Sequence, residues 1–186
     1  MSSVSSPFGL RPAYSPQGTI RPTAYSIASG YASNILSGQP VKLAADGTLQ
    51  AAAAGERFIG TFCGVEYTNS QGRRVVDNKW LANTTGSDII AYATLDPSIV
   101  YEIQANGSVN TSDIGSQADF TTAGTGSTVT GLSAMMLDTA TLTSSGNAGL
   151  RIIGIAPGPD NAPGDSFTIV QVQISEHQNV ADRVAY

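Results

Sequence analysis

A chain of 186 residues is long enough for one domain plus an extended arm, and 41% hydrophobic residues suffice for a core. Only 12% of the residues are charged, about half the usual ~25%. Gly, Ser, Thr, Ala and Asn take their place, which excludes charge-driven disorder and disfavours long solvated helices.

The net charge of −5 is uneven: no acidic residue precedes Asp46, while residues 46–186 hold six Lys or Arg against all fourteen acids. Arg11, Arg21 and Lys42 are too few for the basic stripe that nucleic acid demands. No run approaches the ~18 apolar residues of a membrane span. Residues 1–20 show no basic stretch followed by an apolar run, so no signal peptide is read and synthesis in the cytoplasm is expected. The single cysteine, Cys63, rules out an intrachain disulfide and a thiolate zinc site.

Residues 1–33 read as an extended N-terminal docking arm. Pro7, Pro12, Pro16 and Pro22 stiffen it and remove donors. Between them stand Phe8, Leu10, Tyr14, Ile20, Tyr25 and Tyr31, apolar groups that a merely flexible tail does not need. Such a strap lies either on a partner or on its own body. The β-rich body is expected over residues 34–176. It opens with a hairpin in which Pro40–Leu43 and Thr48–Ala51 flank Asp46-Gly47, the signature of a two-residue type I′ turn. Phe58–Tyr67 follows as a strand whose Gly60 and Gly64 suit the close approach of another backbone.

Arg74–Trp80 is extended. Asp88–Leu95 is apolar on both faces, as in a strand covered on both sides. Ser98–Ala105 points Ile99, Tyr101, Ile103 and Ala105 inward and Glu102 and Gln104 outward, and the two strands read as a second hairpin. Thr111–Phe120 is the best helix candidate, capped by Ser112 or Asp113. Thr121–Gly131 reads as a low-complexity mobile loop, Leu132–Leu142 and Gly149–Ala156 as strands, and Pro157–Asp165 as a loop. Ser166–Ser175 is the clearest strand, with Val170, Val172 and Ile174 on one face. Residues 177–186 form a C-terminal tail. About eight strands at this spacing, with no βαβ alternation, predict an all-β, mainly antiparallel fold: a β-sandwich or small β-barrel with at most one short helix.

No constellation for chemistry emerges. Gly124-Thr125-Gly126 lacks the third glycine of a dinucleotide loop and the lysine of a phosphate loop. His177, alone, makes no metal site and reads as an exposed imidazole. Asp160, Asn161 and Asp165 lack the spacing of a calcium loop and suit turn chemistry instead. Cys63 reads as a small buried side chain. Trp80, with Lys79 beside it, suits a core or interface anchor better than a stacking platform. No catalytic residue, cofactor or metal is expected, and the chain is not expected to be an enzyme.

Two runs carry a resemblance. One is Pro7-Phe8-Gly9-Leu10-Arg11-Pro12 followed by Gly18-Thr19. The other is Gly38-Gln39-Pro40-Val41-Lys42-Leu43 with Asp46-Gly47-Thr48-Leu49, then Gly60-Thr61-Phe62, Gly64-Val65-Glu66-Tyr67, Gly72 and Trp80. Together they resemble the head decoration, or cement, proteins of tailed bacteriophages over roughly the first 80 residues. The resemblance implies a structural virion protein on the outer surface of the capsid that clamps neighbouring major capsid protein subunits, and self-association, with a trimer favoured. Phe8, Leu10, Arg11, Tyr14 and Tyr25 are then the expected anchors on the capsid, and deleting residues 1–33 should leave the body folded. The alternative is a tail-fibre or surface-adhesion module binding a glycan or receptor. The absence of aromatic residues from 121–131 and 157–165 counts against it.

Overall fold

Short apolar runs, each broken by glycine, proline or an Asx turn, give strands of two to ten residues and no long helix. In the computed structural model, which describes residues 2–121 and 126–181, the fold is all-β and mainly antiparallel, as expected. The strands are β1 (Arg11–Tyr14), β2 (Thr23–Tyr25), β3 (Ile35–Leu36), β4 (Pro40–Leu43), β5 (Leu49–Ala51), β6 (Gly60–Asn69), β7 (Arg74–Asp77) and β8 (Lys79–Trp80). There follow β9 (Gly86–Ala93), β10 (Val100–Gln104), β11 (Gln117–Ala118), β12 (Gly126–Ser127), β13 (Leu132–Ser133), β14 (Leu150–Ile155) and β15 (Ile169–Ile174).

Two sheets dominate, and each returns on itself. The first runs β1-β10-β15-β14-β11. Leu137 bridges Phe120, just past β11, to Ala105, just past β10. Its amide donates to Gln104 O at 2.9 Å and its carbonyl accepts from Asn106 N at 3.0 Å. The second sheet runs β2-β9-β6-β4-β5, with β7 also on β6. It is closed by Leu49 N donating to Ser26 O at 2.7 Å, where β5 meets the end of β2. Each ring encloses a core of its own, the arrangement of a small barrel, which leaves few free edges.

The first core gathers Tyr101, Ile103, Leu150, Ile152, Val170, Val172 and Ile174 around a T-shaped Phe58–Phe120 pair with centroids 5.4 Å apart. The second gathers Val41, Leu49, Ile59, Phe62, Val65, Trp80, Ala91 and Ala93. The boundary between them falls on adjacent residues, Phe58 and Ile59. Tyr101 and Thr94 also cross it, their hydroxyl oxygens 2.8 Å apart. Gly60 belongs to this boundary, since a Cβ there would stand 2.1 Å from Thr94 O. The close backbone approach expected at that glycine is present.

Several local expectations are corrected. The first hairpin forms, but its loop has three residues: Gly47 N donates to Ala44 O and Ala44 N to Thr48 O, both at 2.9 Å. Only Gly47 has positive φ, at 80°. Asp46 instead accepts from Thr48 N and Oγ1, an Asx turn that a type I′ geometry would not allow. The strands around 88–95 and 98–105 do not form a hairpin. Asp96 accepts from Ser98 N and Oγ, and the chain crosses there from the second sheet to the first. The helix expected at 111–120 is a single 3-10 turn, Thr111–Asp113, with the Asp113 carboxylate accepting from Asn110 N at 2.7 Å. β11 then claims Gln117 and Ala118 for the edge of β14. Leu132–Leu142 yields only the two residues of β13 and a 3-10 turn at Thr139–Thr141, although Met135 and Leu137 are core residues.

The arm lies on its own body. β1 pairs with the edge of β10, and β2 with the edge of β9. Leu10 is buried in the first core and Ile27 in the second. Gln104, expected to face outward, is buried beneath this segment, its amide bonded to Ser6 N and Val4 O.

The described part of the C-terminal tail is also docked. His177 is fully buried, against the expectation of an exposed imidazole. Nδ1 accepts from Asn179 N at 3.1 Å, so Nε2 carries the proton it donates to Leu95 O at 3.0 Å. Gln178 brackets Leu43 with both ends of its amide.

Candidate docking surface

The two sequence runs that carry the resemblance meet in space. Leu10 N donates to Gly38 O at 2.7 Å, and a Cβ on Gly9 would stand 2.6 Å from that same oxygen. No side chain fits between them, so Pro7–Pro12 seats directly against the strand entry at Gly38-Gln39-Pro40. Beside this junction lies a groove of about 320 Å³ lined by Phe8, Arg11, Pro12, Gly38, Phe62, Cys63 and Leu132. Phe8 is half-buried and the Arg11 guanidinium lies 4.6 Å from its ring centroid, a cation–π contact. Arg11 also pairs with Glu102 across the β1–β10 register.

Cys63 connects the groove to a second, larger depression of about 520 Å³ formed by Cys63, Gly64, Glu66, Val76, Asp77 and Tyr92. This is the outer face of the second sheet. Only Ala91 and Ala93 of β9 are fully buried, while Ile90 and Tyr92 are half-exposed, so the strand expected to be covered on both sides is covered on one. The sheet bulges between Phe62 and Gly64, which turns both Phe62 and Val65 into the core and leaves Cys63 and Gly64 outside. Val76 stands 78% exposed, and Leu132 and Val129 are exposed nearby, where Lys79 Nζ bonds Val129 O at 3.1 Å.

The face carries little free charge. Glu66 accepts from the Tyr92 hydroxyl at 2.6 Å and pairs with Arg74 at 3.0 Å. Those two contacts hold its carboxyl below the ordinary range, and the same hydrogen bond pushes the Tyr92 phenol up. Burial pushes the Cys63 thiol up as well.

Of the residues expected to anchor the arm, Phe8 and Arg11 line the groove. Tyr14 is exposed at the end of β1 but does not line it, and Tyr25 is half-buried against the second core. Leu10 is corrected: it is fully buried in the protein's own first core and offers no surface to a partner in this conformation. Leu132, Val76, Cys63 and Tyr92 escaped sequence reasoning as surface residues, because apolar residues in strand-like runs look like core.

Trp80 is a core residue stacked edge-on to Tyr67 at 5.3 Å. Asp165 accepts from Ala162 N and Ser2 N, and Asn161 brackets Ala156 and Ile169, so these two side chains are engaged with backbone of the loop, its flanks and the arm. Gly124-Thr125 lies outside the described residues. Among the described residues no group of three His, Cys, Asp or Glu is placed to hold a metal ion, and no helix is long and apolar enough to cross a membrane. Comparison with family models, curated proteins and solved structures finds no match.

Proposed function

We propose that this chain is a structural coat protein that decorates the outer surface of a bacteriophage capsid, with the major capsid protein as its partner and no catalytic role. The observation that carries the reading is the junction of Pro7–Pro12 with Gly38-Gln39-Pro40. The two runs that resemble decoration proteins form one structural unit, and that unit borders an apolar face with few unpaired charges. Contiguous exposed apolar surface of this kind marks a protein–protein contact. In this reading the arm sets the shape of the gripping face by folding onto the body, and Phe8, Arg11, Leu132 and Val76 meet the shell.

The test is binding to purified shells of the phage, followed by sedimentation, together with mass spectrometry of intact virions. The wild type should co-sediment at a fixed copy number relative to the major capsid protein. The double variant Phe8→Ala/Leu132→Asp, with unchanged circular dichroism, should lose at least about tenfold in affinity. Absence of the chain from virions, or undiminished binding by the double variant, sinks the reading.

A further inference from the structure

β7 leaves one edge open. It pairs with β6 on one side and with no strand on the other among the described residues. Its orientation follows from the turn before it. Asn69 N donates to Arg73 O at 2.9 Å, and the regular register pairs Tyr67 with Val75 and Val65 with Asp77. In an antiparallel ladder, successive residues alternate between facing the partner and facing away. Val75 and Asp77 therefore address β6, and the N–H and C=O of Arg74 and Val76 point out from the edge. Natural edges are blunted by short length, charge, proline or a cover. This one is short and carries Arg74 and Asp77, yet it has no cover among the described residues and leaves Val76 exposed.

We infer that this edge pairs with the same edge of a second copy of the chain, antiparallel about a two-fold axis through Val75. Three short registers satisfy the outward-pointing donors and acceptors. Centring the axis on Arg74 sets two arginines face to face. Centring it on Val76 sets Arg73 opposite Lys79. Centring it on Val75 exchanges hydrogen bonds between Arg74 and Val76 of the two copies and sets Arg73 opposite Asp77, twice. Only this last register matches charge with charge, and opposite charges directly across a ladder stabilise it while like charges oppose it. Arg73 is exposed and makes no ion pair among the described residues, and Asp77 has only a long 4.0 Å contact with Lys79. Arg74 is already held by Glu66 and Asp88 O on its own sheet, so its charge is not left to oppose the other copy.

The axis runs perpendicular to the sheet. The depressions beside Val76 on the two copies therefore end on the same side, joined into one continuous face. The arrangement is a dimer, in place of the trimer expected from the resemblance. It does not depend on the coat reading.

A five-residue edge alone makes a weak dimer, so the experiment uses both equilibrium and trapping. Sedimentation equilibrium of the full chain should show reversible dimers. Arg73→Asp and Asp77→Arg should each weaken dimerisation about tenfold or more, and the double variant should restore it. Under mild oxidation, Val75→Cys in a Cys63→Ala background should give a covalent dimer, because Val75 faces itself across a close, non-hydrogen-bonded pair. Val76→Cys, which faces Arg74, should not. A Val75→Cys protein that stays monomeric on oxidation, or dimers indifferent to both charge reversals, overturns the inference. A wild-type chain that stays monomeric at equilibrium yet binds shells would overturn this inference and leave the coat reading standing.

Discussion

The two rings of this fold use their strands differently. In the first ring, the residues of β10, β14 and β15 that point inward fill a core, and residues 2–8 cover even the outward-facing Gln104. In the second ring, one face holds Trp80, Phe62 and Val65 while the other lies open at Val76, Tyr92 and Cys63. The first ring spends its surface on the protein's own arm; the second keeps a face for something else. A chain this poor in charge can divide labour in that way because stability needs burial in depth, whereas docking needs flat apolar area that remains exposed.

The sharpest way to break this comparison is to remove the segment that crosses both rings. Deleting residues 2–33 strips β1, β2, Leu10 and Ile27 together. The sequence alone predicts a folded body, whereas the burial of Leu10 and Ile27 in the two cores predicts the opposite outcome. The loss should exceed the ~5–15 kcal/mol that stabilises a typical domain. Circular dichroism and proteolysis should report an unfolded or aggregated chain, and a cooperative thermal transition in the truncated protein would show that the arm is dispensable.

Point substitutions separate the rings. Leu10→Ala opens a cavity in the first core and Ile27→Ala in the second, and each should cost about 2–5 kcal/mol. Calorimetry then decides whether the rings are one unit. A single transition lowered by either change is expected, since Phe58-Ile59 and the Thr94–Tyr101 contact tie the cores together. Two transitions, each answering to one variant, would make them independent domains.

That boundary has a more local probe. Gly60→Ala places a methyl group 2.1 Å from Thr94 O, backbone that cannot swing aside. Overpacking of this kind should cost about 1–3 kcal/mol, read from the denaturant midpoint. An unchanged midpoint would mean that the two rings can slide apart at little cost.

What was legible in the sequence is what alternation reports. The inward row Ile99, Tyr101, Ile103 and Ala105, and the row Val170, Val172 and Ile174, are buried as read. Alternation gives a strand's face but not its partner, so the strands around 88–95 and 98–105 read as a hairpin although they belong to different rings. Ring closure was invisible because it rests on single residues, Leu137 and Ser26, whose bridges are made by backbone atoms with no side-chain signature. His177 looks exposed in the sequence for a related reason: the carbonyl of Leu95 that meets its buried ring is far away along the chain. Of the candidate surface, Phe8 and Arg11 were legible as apolar and cationic groups between prolines. Leu132 and Val76 were not, since only the bulge at Cys63 and the free edge of β7 make that face a surface.

The smallest expected effect is on pH dependence, and it distinguishes the polar loops from both cores. Asp96 is held below the ordinary carboxylate range chiefly by the Ser98 hydroxyl, Glu56 by Lys42, Asp165 by the amides of Ala162 and Ser2, and Asp46 by Thr48 N. A carboxyl whose folded pKa is depressed contributes stability above its unfolded value, near ~4, and loses it as pH falls through the lower folded value. The melting temperature should therefore be flat from neutral pH down to about 5 and decline below about 4. Because these groups are mostly exposed, screening keeps each contribution small. Asp96→Asn should flatten the acid limb more than Asp165→Asn, since Asp96 sits where the chain passes between the rings, whereas Asp165 fastens its own loop and the N-terminal end of the arm. Equal flattening by the two variants would place the acid-sensitive contact outside the ring boundary and weaken the view that the rings are coupled there.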